Sequence, residues 1–452
     1  MKISTFFRSY DFIYCCLLFT IALLLRFPFI SHPNMSMFDE LLYKNYVTMT
    51  LRGEPSFDIH PPLAKLLMIQ VSEHYDFALT HNKVKGMEPF GEFPYVPLRE
   101  ISALFGALLP LFIYGIGRKI GYGRKVALVP AVLVVFDNAL IIYSRVMLPD
   151  MMLLTLLMSG VFFALSAQNV SGTKRALNAL VSILLLSSAL SVKWTALGVA
   201  FVTLLLFIRK HMWKPVVGMF VALPVLYIGS FMLFFQFFTS GGQMLPMFAG
   251  SDDPFNVPFI TEPAFPHGGN IQEELAFLPV LHGIILRTNT DKVIMSQVFH
   301  SKSAYLWPFG RSGILFWHSE KTNALISLTG NVVVWSIAFL LFLYECIFIL
   351  RMFLRKTLAE CDDYEIFLVA GYLINFLPFL FIDRPMYLYH YFTALLFLFL
   401  LVPKILPRLS RDLLSLTGRK KFPLILLAVI VTFSALCFIT LLPTTYGFTF
   451  FG

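Results

Sequence analysis

Arg99-Glu-Ile-Ser-Ala-Leu-Phe-Gly-Ala-Leu-Leu-Pro-Leu-Phe-Ile-Tyr-Gly-Ile-Gly-Arg118-Lys119 decides the fold class. From Ile101 to Gly117 the stretch carries no charge, a length that can cross hydrocarbon as a helix. Its two ends differ. One closes on Arg118-Lys119, followed at once by Arg124-Lys125, a plain cluster of cations. The other opens on a lone arginine, Arg99.

The same two kinds of end recur along the 452 residues, of which 58% are hydrophobic and only 13% charged. That much apolar surface cannot be hidden in a water-soluble core, so the chain is read as a polytopic membrane protein. Eleven spans are predicted, at about 11–30, 99–118, 125–143, 148–167, 176–192, 194–208, 215–238, 325–350, 364–382, 388–407 and 422–443. Residues 1–10 and the loops after the even-numbered spans hold twenty of the thirty-five Lys and Arg residues. The positive-inside rule makes that side cytoplasmic, with the amino terminus inside. The net charge of +9 then reflects topology, and no nucleic-acid partner is expected. The first span has no small-residue cleavage site after it and reads as an uncleaved anchor. The five cysteines show no metal-ligand spacing.

Residues 1–452 read as a single membrane domain with two long outer loops, 31–98 and 239–324. In the first, the residues from Glu40 have helical spacing and suggest a short interfacial helix. Pro61-Pro62 can start another over 63–75.

The outer loops carry isolated, chemically pointed groups. Asp39-Glu40 could be a general base with its partner, or ligands for a divalent cation such as Mg or Mn. Asp39 alone also reads as a helix N-cap. In Asp58-Ile-His60-Pro-Pro-Leu-Ala-Lys65 the proline pair would fix a turn that holds Asp58 and His60. Arg99, Arg145, Lys193 and Arg384 come from four different outer loops. Singly they read as snorkelling or interfacial anchors. Together they could ring a cavity that binds a lipid-linked phosphate. Facing carboxylates would deprotonate an incoming hydroxyl. A transporter would place such groups near the midplane and often shows a repeat; neither is found.

These motifs resemble the dolichyl- or polyprenyl-phosphate-mannose protein O-mannosyltransferases, glycosyltransferase family 39, which have the GT-C membrane fold. Phe38-Asp-Glu40 is similar to the family's first-loop Asp-Glu motif. Asp58 to Lys65 resembles its Asp-x-His-Pro-Pro-Leu-Gly-Lys segment, with Ala64 in place of Gly. Leu98 to Gly106, Phe136-Asp-Asn with Ser144-Arg145 and Asp150, Ser191 to Gly198, Leu328 to Trp335 and Tyr389-His-Tyr resemble further family segments. The resemblance implies an all-α GT-C fold of about eleven spans. It implies transfer of mannose from the lipid phosphate to Ser/Thr hydroxyls of a protein on the non-cytoplasmic face, by a single inverting displacement. Asp39 would be the base and Glu40 its neighbour. Asp58 and His60 would support the site. Arg99, Arg145 and Lys193 would hold carboxylates or the donor phosphate, and Arg384 would join them. No cofactor is required by this chemistry, and any metal would fall to Asp39 and Glu40. The implied partners are the lipid donor, the acceptor protein and the bilayer; a dimer is compatible. Eukaryotic members carry a MIR domain in the later outer loop, for which 239–324 is too short. This points to a short form in a prokaryotic plasma membrane, or the endoplasmic reticulum membrane if the source is eukaryotic. A glycan or lipid acceptor stays open as the alternative.

Overall fold

The computed structural model describes residues 10–79, 87–239, 265–266, 268–290, 304–357, 361–382, 386–417 and 422–449. The chain runs α1 (Tyr10–Arg26), α2 (Glu40–Leu51), α3 (Leu63–Ser72), α4 (Tyr95–Lys119), α5 (Arg124–Val135), α6 (Asn138–Tyr143), α7 (Asp150–Gln168), α8 (Gly172–Leu190), α9 (Ala196–Arg209) and α10 (Trp213–Phe235). Then come α11 (Ile271–Thr290), β1 (Ile314–His318), β2 (Leu325–Leu328), α12 (Val332–Leu354), α13 (Asp363–Phe376), α14 (Phe392–Thr417), α15 (Phe422–Thr440) and α16 (Leu442–Tyr446).

Among the described residues, seven helices are long and apolar enough to cross a membrane. Each of the eleven expected spans overlaps a helix or helix pair, but α1, α9, α15 and the α5–α6 pair are not among the seven, and α13 reaches that length only with the 3-10 turn Leu377–Leu380 that follows it. α7 and α14 are the most enclosed and form the centre; α10 and α12 lie at the rim and leave Phe220, Leu233, Leu343 and Leu350 exposed. An apolar side chain on the rim of such a bundle is where lipid is the solvent.

Four sequence expectations are corrected. The span at 125–143 breaks at Phe136-Asp137, because the Asp137 carboxylate accepts the Leu140 N–H at 3.0 Å and starts a new helix. The other Asp137 oxygen accepts the indole N–H of Trp335 at 2.6 Å, which satisfies the buried charge. The span at 325–350 starts late, at Val332, since Leu325–Leu328 is an antiparallel strand paired with β1. The helix from Glu40 is not interfacial: ten of its twelve residues are buried. Finally, α11 lies inside the second long loop where no helix was expected; Pro279 and the polar residues along it masked its periodicity.

Candidate active site

Site groups gather where the two long loops fold over one end of the bundle. Glu40 opens α2, and its carboxylate is saturated. Arg99 of α4 donates from Nε to Oε1 at 2.8 Å and from Nη2 to Oε2 at 2.7 Å. The backbone N–H groups of Met147 and Met37 complete the set, each at 2.9 Å. Arg99 spends its remaining donors on the carbonyls of Ile30, Pro33 and Met35, at 2.9–3.1 Å. All five of its N–H groups are thus used inside the protein. Of the two roles left open for Arg99, the geometry takes the carboxylate and leaves nothing for a phosphate. It also corrects the suggestion that Asp39 and Glu40 could chelate a metal together, since Glu40 has no vacant lone pair to offer.

Arg145 is also anchored within the protein. Its guanidinium donates to the carbonyls of Arg26 and Pro28 at 2.9 and 2.5 Å and of Phe29 at 2.8 Å, and it lies over the Tyr446 ring at 4.6 Å. A cation at the C-terminal end of α1 suits that helix's dipole and its orphan carbonyls. Three of its N–H groups thus serve a capping role that the sequence did not reveal. Arg384 lies outside the described residues.

Asp58 accepts the His60 N–H at 3.1 Å and the Lys65 ammonium at 2.9 Å. The proline pair that follows ends the turn and starts α3, and the Leu63 N–H donates to the Ser191 carbonyl at 3.0 Å. That bond sets the His60 turn against the turn that carries Lys193. Sequence reasoning did not assign Lys65 to the site, although it stands seven residues from Asp58 inside the quoted motif.

Lys193 sits between α8 and α9 and bonds both oxygens of Asp150, at 2.8 and 2.9 Å. Its ammonium also lies 5.0 Å from the centre of the Tyr389 ring. Asp150, Lys193, Trp194, His60, Tyr389 and His390 line a cavity of about 290 Å³, whose remaining wall is largely apolar. α11 contributes to that wall through Asn289 and Thr290. It is tied down by a chain of hydrogen bonds: Trp194 Nε1–H donates to Tyr227 Oη at 2.8 Å, and Tyr227 lies 2.7 Å from His282 Nε2. His282 Nδ1 is 2.7 Å from the Leu278 carbonyl. A carbonyl only accepts, so Nδ1 carries the proton and Nε2 accepts from Tyr227. No local pattern marks this link, since His282 is distant in sequence from both of its aromatic partners.

Asp39 is the carboxylate that remains. Its side chain forms no cap bond to the helix it precedes. Burial pushes its pKa up to about 7; Lys193 pulls it down, while Asp150 and Asp58 push it up. An acid held neutral-to-ionised near pH 7, within electrostatic reach of the Lys193 ammonium in the cavity wall, is suited to accept a proton.

This architecture defines a GT-C glycosyltransferase fold in a multi-pass membrane protein. It superposes on a chain of the Saccharomyces cerevisiae protein O-mannosyltransferase Pmt1-Pmt2 complex bound to the sugar donor with a TM-score of 0.78 at 15% identity, over 97% of this chain and 90% of that one. The Archaeoglobus fulgidus oligosaccharyltransferase shares the fold more loosely, with a TM-score of 0.52 at 13% identity over 97% of this chain and 56% of that one. Residues 16–239 match the profile described as dolichyl-phosphate-mannose-protein mannosyltransferase, and residues 278–450 match the C-terminal four-transmembrane region of protein O-mannosyltransferase. The chain belongs to the protein O-mannosyltransferase family. It is 30% identical over 148 residues to dolichyl-phosphate-mannose–protein mannosyltransferase 4 of Schizosaccharomyces pombe, covering 32% of this chain. It is 31% identical over 205 residues to protein O-mannosyltransferase 1 of Drosophila melanogaster, covering 44% of this chain. The matched stretches span 19% and 22% of those relatives' lengths.

Proposed function

We propose that this protein transfers a mannosyl residue from a polyprenyl or dolichyl phosphate to a Ser or Thr hydroxyl of an acceptor protein at the non-cytoplasmic membrane face. The observation that carries this reading is the raised pKa of Asp39 together with its electrostatic coupling to Lys193 and Asp150, two residues of the cavity wall. In a single in-line displacement Asp39 takes the hydroxyl proton and the oxygen attacks the anomeric carbon. The bond from that carbon to the phosphate oxygen breaks, and the electron pair leaves with the lipid phosphate. One displacement inverts the anomeric configuration, with positive charge developing on the sugar. Lys193 has three N–H groups, and Asp150 takes two of its bonds, so it can still present charge to the leaving phosphate. His60, Asp58 and Lys65 hold one rim; Glu40, Arg99 and Arg145 hold the loop that carries Asp39. Arg384 is proposed as a further cation of the same face. The membrane is a prokaryotic plasma membrane, or that of the endoplasmic reticulum if the source is eukaryotic. The paired relative makes a dimer the assembly to look for.

The test is to incubate membranes containing the protein with polyprenyl-phosphate [¹⁴C]mannose and a Ser/Thr-rich peptide. Label should appear on the peptide in an alkali-labile linkage. Label confined to lipid or glycan would favour the alternative acceptors, and no transfer from this donor would overturn the reading.

A further inference from the structure

Phe38, immediately before Asp39, has a backbone φ of 49°. A residue with a Cβ avoids this left-handed region, because the Cβ crowds the neighbouring carbonyl. An aromatic residue persists there only when its surroundings hold it. Here the surroundings are visible. The Phe38 ring lies flat on Phe316, with centroids 5.1 Å apart and planes 3° apart. The rings of Tyr387 and Tyr389 pack edge-on at 5.5 and 6.1 Å. The turn from Met37 to Glu40 is closed by a Glu40 N–H to Met37 carbonyl bond of 3.0 Å. Its far end is locked by Glu40 and Arg99 as described above. Its near end rests on the stack.

Phe316 is itself placed by an irregularity. In the β1–β2 hairpin, Leu315 pairs with Ser327 and Trp317 with Ile326, so Phe316 is the extra residue of a bulge. A bulge interrupts the alternation of a strand and re-aims one side chain. Accordingly Phe316 and Trp317, although adjacent, are both buried, at 2% and 7% exposure. Tyr143 supports the Phe316 ring from another side, at 5.9 Å.

We propose that Phe316 is a positioning residue for the transfer reaction: through the stack on Phe38 it holds the left-handed turn that aims the Asp39 carboxylate. Phe316 does not itself line the cavity, so this part of the second long loop acts on the base through Phe38. This inference rests on the function proposed above.

The test is a double-mutant cycle on the full-length protein in membranes, reading kcat and the donor KM. Phe316→Leu and the longer Phe316→Met are both made, so that one folded variant suffices. Glycine adopts positive φ without support, so Phe38→Gly should make the stack unnecessary. Expected is a fall in kcat of about tenfold for the Phe316 variant in the wild-type background, with donor KM little changed, and of less than about twofold in the Phe38→Gly background. Equal losses in the two backgrounds would overturn the proposal, because Phe316 would then act independently of the turn. A Phe316 variant that loses donor affinity in step with kcat would also overturn it. If wild type transfers no mannose, the function reading fails instead, so the two failures are distinct.

Discussion

Arg99 and Glu40 form a two-point ion pair, 2.8 and 2.7 Å long, with both side chains wholly out of solvent. Neighbouring carboxylates on one motif thus have opposite fates: Glu40 is fixed as part of the scaffold, and Asp39 is left to titrate. Breaking a buried pair by deleting one partner leaves an uncompensated charge and costs about 3–5 kcal/mol. Glu40→Gln is therefore expected to lower the melting temperature of the detergent-solubilised protein and to lose activity with it. Arg99→Lys should behave similarly, because three ammonium donors cannot cover the five contacts that one guanidinium makes. Fluorescence-detected size exclusion after a heating series measures the shift. A Glu40→Gln protein as stable as wild type would contradict the scaffold role.

Asp39→Asn should show the opposite pattern. The variant keeps the shape of the side chain and removes its proton acceptance, so kcat should fall by about 100-fold or more. Asp39 has its pKa raised from 3.8 to about 7 in the folded protein. Stability contributed by such a group is present below the unfolded value and is lost as pH rises through the folded one. The ionised form is thus a burden at pH 8, and Asp39→Asn should melt at or above the wild-type temperature there. For wild type, kcat/KM should decline as pH drops through about 7, since the base becomes protonated. A flat rate profile between pH 5.5 and 8 would remove Asp39 as the base.

At the opposite end of the bundle, Arg408 of α14 bonds Glu345 of α12 at 2.7 and 2.6 Å and Glu365 of α13 at 2.5 Å. Both glutamates are buried, so one cation holds three helices together. Arg408→Met strands two acids and should destabilise by about 3–5 kcal/mol. Adding Glu345→Gln and Glu365→Gln should recover much of that loss, because a neutral buried acid analogue no longer needs the cation. Donor KM in the surviving folded fraction should be unchanged, since the cluster lies away from the cavity. Thermal denaturation of the single and triple variants, read beside donor titrations, checks both statements.

Much of this arrangement was legible in the residues. Apolar length and the loop cations marked the spans, and the quoted motifs named Asp39, Glu40, Asp58, His60, Arg99, Arg145 and Lys193. Their division of labour was not legible, because it depends on partners far away in the chain. Arg99 reads as a mouth cation until the carbonyls of Ile30, Pro33 and Met35 fold onto it. The capping contacts of Arg145 are invisible until the end of α1 arrives beneath it. α11 was hidden by Pro279, and the bulge at Phe316 cannot be seen without the partner strand. Short-range signals such as caps, prolines and uncharged runs survive translation into sequence. Which of several buried charges finds which partner is settled by packing.

Lys193 and Asp150 allow electrostatic scaffolding to be separated from donor binding. Their pair is buried and two-pronged, so Lys193→Met should both weaken donor use and leave Asp150 as an unpaired carboxylate. A loss of activity in that variant is therefore ambiguous by itself. The double variant Lys193→Met/Asp150→Asn removes the stranded charge while keeping the shape of the wall. It should regain most of the thermal stability that Lys193→Met loses. It should not regain donor affinity, because the cation that faces the lipid phosphate is still missing; a rise of about tenfold or more in donor KM is expected, the scale of one charge-assisted hydrogen bond. Lys193→Arg should keep part of the affinity, since charge is preserved while shape is not. Acceptor-peptide KM should move little in any of the three. Donor and peptide titrations on each variant, beside its melting curve, supply the comparison. If the double variant bound donor as wild type does, Lys193 would be only the partner of Asp150, and Arg384 would become the first cation to test.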